Sequence, residues 1–197
     1  MNKKSYTGYI IGGALVLVAL YLISTYNSLV KKQENMKLQW NEVQSAYQRR
    51  IDLIPNIVNV VKGQADFEQS TLVKVTEARA KVSSLNLPAG NLSAESYNQQ
   101  AAAQDELANA ANRLIIAVEK YPELKGTQAF EGLQVQLEGT ERRIKVARKD
   151  FNDAVAKYNS SVKSFPTKIV AGLFGFRSRE GFQAEAGADK SVEIKFN

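Results

Sequence analysis

FEGLQVQLEGTERRIKVARKDFNDAVAKYNSSV, residues 130–162, carries the pattern that decides the fold. Phe130, Leu133, Leu137, Thr140, Ile144, Ala147, Phe151, Ala154, Tyr158 and Val162 follow one another in alternating steps of three and four, apart from the final run. With 3.6 residues per turn, such steps gather side chains on one face of an α-helix. Thr127 offers a side-chain oxygen to cap the first turn, so the pattern predicts a helix over residues 127–163. Its 37 residues would extend ~55 Å at about 1.5 Å each. A seam of this length, with Phe130, Leu133, Leu137, Ile144, Phe151 and Tyr158 as its large members, is expected to pack coiled-coil fashion against other helices.

The covering helices are read by working outward. Ser93 can cap a helix reaching Tyr121, whose stripe is Tyr97, Ala101, Leu107, Ala111, Leu114, Ile115 and Val118. Pro122 and Gly126 bound the connection that follows it, and SSLNLPAGNL (residues 83–92) is a turn cluster before it. A first long segment over residues 28–83 carries Val43, Tyr47, Ile51, Ile54, Val58, Val61 and Ala65, with Leu72, Val75, Ala78 and Val82 extending the face. Pro55 interrupts that stripe without ending it, which predicts a kink and not a stop. Long helices with short connections imply an all-α, antiparallel up-down bundle. Past Pro166 the apolar KIVAGLFGF (residues 168–176) holds two glycines and reads as a poor isolated helix. The tail ends in SVEIKFN (residues 191–197), where Val192, Ile194 and Phe196 alternate with polar neighbours. That is a strand pattern lacking a partner sheet, so it either stays unstructured or pairs with another chain by strand addition.

The N-terminal end differs from all of this. No charged residue lies between Lys4 and Lys31. YIIGGALVLVALYLI (residues 9–23) is apolar on every face through Tyr9, Ile10, Ile11, Leu15, Val16, Leu17, Val18, Leu20, Tyr21, Leu22 and Ile23. A helix needs about 20 apolar residues to cross ~30 Å of hydrocarbon, and residues 6–26 supply 21, with Tyr6 and Tyr26 at the interfaces. A cleaved signal peptide is the competing reading, but Ser24, Thr25, Tyr26 and Asn27 offer no A-x-A site. A retained single-pass anchor is expected. Lysines flank both ends of the span, so the positive-inside rule gives little direction; the resemblance of the segment to an uncleaved signal anchor favours a bundle outside the cytoplasm. The organisation expected is an anchor at 1–27, a helical bundle at 28–166 and an apolar, glycine-containing segment with a tail at 167–197. Residues 26–30 contain neither Pro nor Gly, so helix can run from the bilayer straight into the bundle.

Composition narrows the function. The 197 residues include no Cys and no His. Their absence removes disulfides, the commonest metal ligands, the usual neutral-pH general base and the most reactive nucleophile. No cofactor, metal or catalytic group is expected. A net charge of +6 without a basic block suits anionic lipid better than nucleic acid, so the bilayer is the expected partner and nucleic acid is not. RRIDLIPN (residues 49–56) sets Arg49, Arg50 and Asp52 around the Pro55 kink, where an Arg fork or the Asn56 amide can satisfy a freed carbonyl; an exposed, solvated face is the alternative. Glu138 and Arg142 stand four apart in the favourable order for an intrahelical pair. Gly139, interior to the same helix, costs about 1 kcal/mol relative to Ala and suggests a close helix crossing. The carboxylates Glu138/Glu141 and Glu119/Glu123 have cationic neighbours and read as salt bridges in preference to a metal site.

In chain order the residues YNSLV (26–30), Trp40, RRIDLIPNIVNVVKG (49–63), TEARAK (76–81), EKYPELK (119–125), LEGTERRIKVARKDFNDAV (137–155), YNSSV (158–162), FP (165–166) and AGLFGF (171–176) resemble the LemA family. The resemblance covers the chain up to about Phe182. It implies a bacterial envelope protein of the inner membrane with an antiparallel helical bundle and no established catalytic chemistry. Where the family usually has a His near DFEQSTL (residues 66–72), this chain has Phe67, so nothing dependent on that His carries over. The seam longer than one small bundle needs, the glycine-interrupted apolar residues 168–176 and the terminal strand pattern lead to the expectation of a non-enzymatic, membrane-anchored scaffold that self-associates through its long helices. The alternative is a monomeric envelope binding or signalling module presenting a groove to a protein or peptide.

Overall fold

The computed structural model describes residues 3–63, 67–85 and 93–182, and over these the protein is helical with no strand. The described helices are α1 (Lys3–Lys62), α2 (Gln69–Ser84), α3 (Ala94–Val118), α4 (Pro122–Lys125), α5 (Gln128–Lys163) and α6 (Thr167–Leu173). The strand pattern at Val192, Ile194 and Phe196 lies outside the described residues. Two compact units divide the described chain, one drawn from Met1–Ser45 and Lys145–Arg179, the other from Ala46–Ile144 and Glu180–Asn197.

The helix ends follow local chemistry. Ser93 caps α3, its hydroxyl accepting from the Ser96 amide at 3.2 Å, and Thr127 Oγ1 accepts from the Phe130 amide at 3.3 Å. Helix α1 passes from residue 26 to residue 30 and through Pro55 without a stop. It ends at Lys62, however, so the stripe expected to continue to residue 83 is shared between two helices, with Leu72, Val75, Ala78 and Val82 buried on α2. Gly63, the poorest helix former after proline, marks the end.

In the unit containing residues 46–144, Ile51, Ile54, Ile57, Val58 and Val61 of α1 share one core with Val75 and Val82 of α2, Leu107 and Leu114 of α3, Leu124 of α4, and Phe130 and Leu137 of α5. Fully burying each such side chain stabilises by ~1.5–3 kcal/mol. Phe67 joins this core, its ring 5.2 Å from that of Tyr121. The Tyr97 hydroxyl donates to the Glu180 carbonyl, and its ring lies 5.7 Å from Phe182, which holds the chain after α6 onto α3.

In the other unit, Trp40 of α1 meets Phe151 of α5 at 5.4 Å, and Lys32 donates to Ser161 Oγ. Leu29 packs with Tyr158 and Val162 of α5 and Ala171 of α6. Burial of Val170 and Ala171 explains why residues 167–173 are helical despite a weak isolated propensity, since packing supplies most helical stability. The helix closes with a Schellman turn: the Phe176 amide donates to the Ala171 carbonyl at 2.9 Å and Gly175 takes φ +75°. That turn sets both Phe174 and Phe176 edge-on against Tyr26, at 5.0 and 5.6 Å. Asn159 then clips the outgoing chain, accepting from the Arg179 amide at 2.8 Å and donating to its carbonyl at 2.6 Å.

A Cβ at Gly175 meets nothing within 4 Å, so replacing it with alanine costs only the left-handed backbone, about 1 kcal/mol. Thermal melts of Gly175→Ala are expected to fall by ~2–4 °C. Gly172→Ala, equally open but inside α6, is expected to hold or raise the midpoint.

Candidate functional site

The motif at residues 49–56 separates into a solvated face and a buried one. Arg49, Asp52 and Asn56 are exposed, with Asp52 accepting from Gln48 Nε2 at 2.8 Å, and Pro55 is half-buried. Arg50 is 1% exposed. It lies three residues after Tyr47 and four before Ile54, on the apolar stripe of α1, and that spacing is the sequence signal for its burial. Its Nε donates to Glu141 Oε1 of α5 at 2.7 Å and its Nη2 donates to Oε2. Nη1 donates to the Gln104 carbonyl of α3 at 2.8 Å and to Gln104 Oε1 at 3.1 Å. One guanidinium thus joins α1, α3 and α5. Taking it out of water is costly unless its donors are matched, and this fork matches four contacts at once. Glu141 keeps 36% of its side chain exposed, so water shares in stabilising the carboxylate.

Beside the fork, Thr140 is buried and its hydroxyl donates to the Gln136 carbonyl at 2.8 Å. Gln104 Nε2 and Gln100 Oε1, a donor and an acceptor one turn apart on α3, lack partners among the described residues. What this centre visibly supplies is position and charge, with three helices tied to one side chain.

Pro55 deprives the Ile51 carbonyl of its helical donor, and that carbonyl accepts from Arg79 Nε of α2 at 3.3 Å. The expectation that an Arg of the motif or Asn56 would fill this role is corrected: Arg50 is committed to Glu141 and Gln104, while Arg49 and Asn56 face solvent. Arg79 belongs to TEARAK, 24 residues beyond the proline, and no local spacing connects the two.

Two more of the carboxylates singled out in the sequence face cations. Glu138 pairs with Arg142 at 3.8 Å and Glu119 with Lys125 at 3.4 Å, both exposed. Lys149 and Asp153 pair at 2.8 Å on the surface; their hydrogen bond and mutual charge raise the lysine pKa and lower that of the aspartate. Burial pushes the Tyr158 phenol upward, partly offset by Arg179. The groove between α2 and α3 sets Lys74, Glu77, Lys81, Asp105, Glu106 and Arg113 around a floor that includes Ala78, Ala102 and Ala110.

The long seam is consumed inside the chain. Phe130, Leu137, Ile144, Phe151 and Tyr158 are each at most 4% exposed and Leu133 is half-buried. A Cβ at Gly139 would meet nothing within 4 Å, so among the described residues no helix crosses closely there.

The anchor residues show the reverse. Tyr9, Ile10, Ile11, Leu15, Val16, Leu17, Val18, Leu20, Tyr21 and Ile23 are all exposed, Ile10 at 71% and Leu17 at 69%, and Leu22 alone of the set is half-buried. Among the described residues this is the one helix long and apolar enough to cross a membrane.

The model of the LemA family matches residues 39–196. The match starts beyond the anchor and runs through the tail, which had been expected to fall outside the family pattern after Phe182. Magnetosome protein MamQ 2 of Paramagnetospirillum magneticum is 24% identical over 188 residues, covering 87% of this chain and 69% of that protein. Magnetosome protein MamQ of Magnetospirillum gryphiswaldense is 24% identical over 196 residues, covering 91% and 72%. Protein LemA of Metamycoplasma hominis is 25% identical over 158 residues, covering 80% and 68%.

Removing Glu141 leaves the Arg50 charge buried with only neutral acceptors, at a cost of about 2–4 kcal/mol given the partial exposure of the carboxylate. Chemical denaturation of Glu141→Gln is expected to show that loss. The double variant Arg50→Met, Glu141→Leu is expected to recover much of it, because no unpaired charge remains.

Proposed function

The chain belongs to the LemA family, and on that basis we propose that it is a non-enzymatic scaffold anchored in the bacterial inner membrane, which self-associates through the outer face of α5. The observation that carries the reading is the change of character along α1. Residues 9–23 expose large apolar side chains around the whole helix, whereas from Leu29 onward the buried positions fall on one side. A helix apolar on every face suits hydrocarbon, and one apolar on a stripe suits a protein core. The helical units are placed on the extracytoplasmic side, as for an uncleaved signal anchor.

An antiparallel course of α1 and α5 accounts for the residue pairing. Lys32 meets Ser161 and Trp40 meets Phe151, the numbers rising on α1 as they fall on α5. Arg50 and Glu141 keep the same sense in the other unit. Because the apolar seam is spent within the chain, self-association draws on what α5 leaves open. Val135 is 67% exposed, and Gly132 and Gly139 have nothing within 4 Å of a built Cβ. These positions lie within one arc of the helix, so a second copy could bring a helix close there. Buried Arg50 holds α5 in place from the inner side without offering a reacting group.

The full chain extracted in mild detergent is expected to run as an assembly by mass photometry and light scattering. Val135→Glu, a surface change that leaves the core untouched, is expected to shift it towards monomer. A strict monomer at every concentration would overturn the self-association reading.

A further inference from the structure

Helix α6 leaves an apolar face uncovered. Ile169 and Leu173 stand four residues apart on it and are 58% and 71% exposed; Phe165, in the turn before the helix, and Phe174, at its C-cap, flank them at 83% and 54%. The other side of α6 is used, since Val170 and Ala171 are buried. Four large apolar side chains clustered within ten residues are unlike the scattered apolar residues of an ordinary soluble surface.

The position of this face identifies what covers it. Phe174 and Phe176 rest on Tyr26, the residue at which the apolar stretch of α1 ends. One turn further into that stretch Thr25 is buried and Leu22 half-buried, in a segment where the other apolar residues are exposed. The end of this unit therefore stands at the level where α1 leaves hydrocarbon. The surrounding charge is of one sign. Between Asp153 and Glu180 the sequence holds no acidic residue, and Lys163, Lys168, Arg177 and Arg179 are exposed there, with Lys31 exposed on α1. An apolar face rimmed by cations is the pattern of a helix lying in the plane of an anionic membrane surface.

We infer that α6 is an interfacial helix: Phe165, Ile169, Leu173 and Phe174 enter the headgroup–acyl boundary of the bilayer that α1 crosses, and Lys168 and Arg177 engage anionic headgroups. The inference rests on α1 crossing that bilayer. The protein then touches its membrane twice, through a span and through a helix alongside it, and the second contact fixes the rotation of α5 and α6 about α1 relative to the lipid surface. Phe176, turned inward by Gly175, stays with Leu29 and Tyr158 and belongs to the protein core.

The chain has no cysteine, so single labelling sites can be introduced in the full-length protein. Nitroxide labels at Ile169→Cys and Leu173→Cys, in nanodiscs containing phosphatidylglycerol, are compared with Val16→Cys in the span and Lys145→Cys on exposed α5. The readout is collision with oxygen, which partitions into lipid, against collision with a water-soluble nickel chelate. The α6 labels are expected to favour oxygen several-fold over the Lys145 site, approaching the Val16 site. Nickel access at residues 169 and 173 equal to that at 145, with Val16 still in lipid, would overturn the inference and leave the anchor standing. Shielding from both quenchers with dipolar broadening between labels would assign the face to a second copy and also overturn it. Nickel access at Val16 would remove the anchor and the inference together. Replacing phosphatidylglycerol by phosphatidylcholine is expected to shift the α6 labels towards water, and unchanged depth would contradict the role given to the cations.

Discussion

A peptide group in hydrocarbon has no water to bond, so a lone segment can cross a bilayer only if its backbone satisfies itself. Helix α1 carries an apolar stretch long enough for such a crossing and continues as helix into residues that pack in a protein core. Where proline breaks the hydrogen-bond ladder, a side chain from another helix repairs it. Pro55 removes one donor, and Arg79 from α2 replaces it at the Ile51 carbonyl. At Gly63 nothing replaces the lost propensity and the helix ends.

Packing against α1 depends on a small number of polar commitments inside an otherwise apolar core. Arg50 is the strongest, since its four contacts close only when α3 and α5 occupy their observed places. Such a buried pair is weak evidence for net stability, because hydrophobic replacements can do as well. Its consequence is geometric: a shift of α5 along α1 would strand a charge in the core. Where the apolar stretch of α1 ends the corresponding fixing is aromatic, with Tyr26 held by Phe174 and Phe176.

The parts legible in the sequence were those set by local period. The α5 seam, the Ser93 and Thr127 caps and the continuous apolar stretch before Lys31 could be read because spacing alone determines them. Thr140 was legible as a member of the α5 seam, whereas Arg50 sat on the α1 stripe with its polarity concealing its burial. The partnership of Arg79 with a carbonyl on another helix could not be read, because only the fold brings residues 51 and 79 together. Helix α6 was underestimated for a related reason. Two glycines make it weak alone, and the burial of Val170 and Ala171 that sustains it comes from elsewhere in the chain.

The central claim is that one helix leaves the bilayer and enters the protein core without a hinge. Hydrogen–deuterium exchange on the full chain in nanodiscs tests it directly, peptide by peptide over residues 9–45. The account predicts slow exchange across the whole interval, including residues 24–30 where lipid gives way to protein. Rapid exchange confined to residues 24–30 would contradict it, since the anchor would then be a flexible tether and not the first stretch of α1.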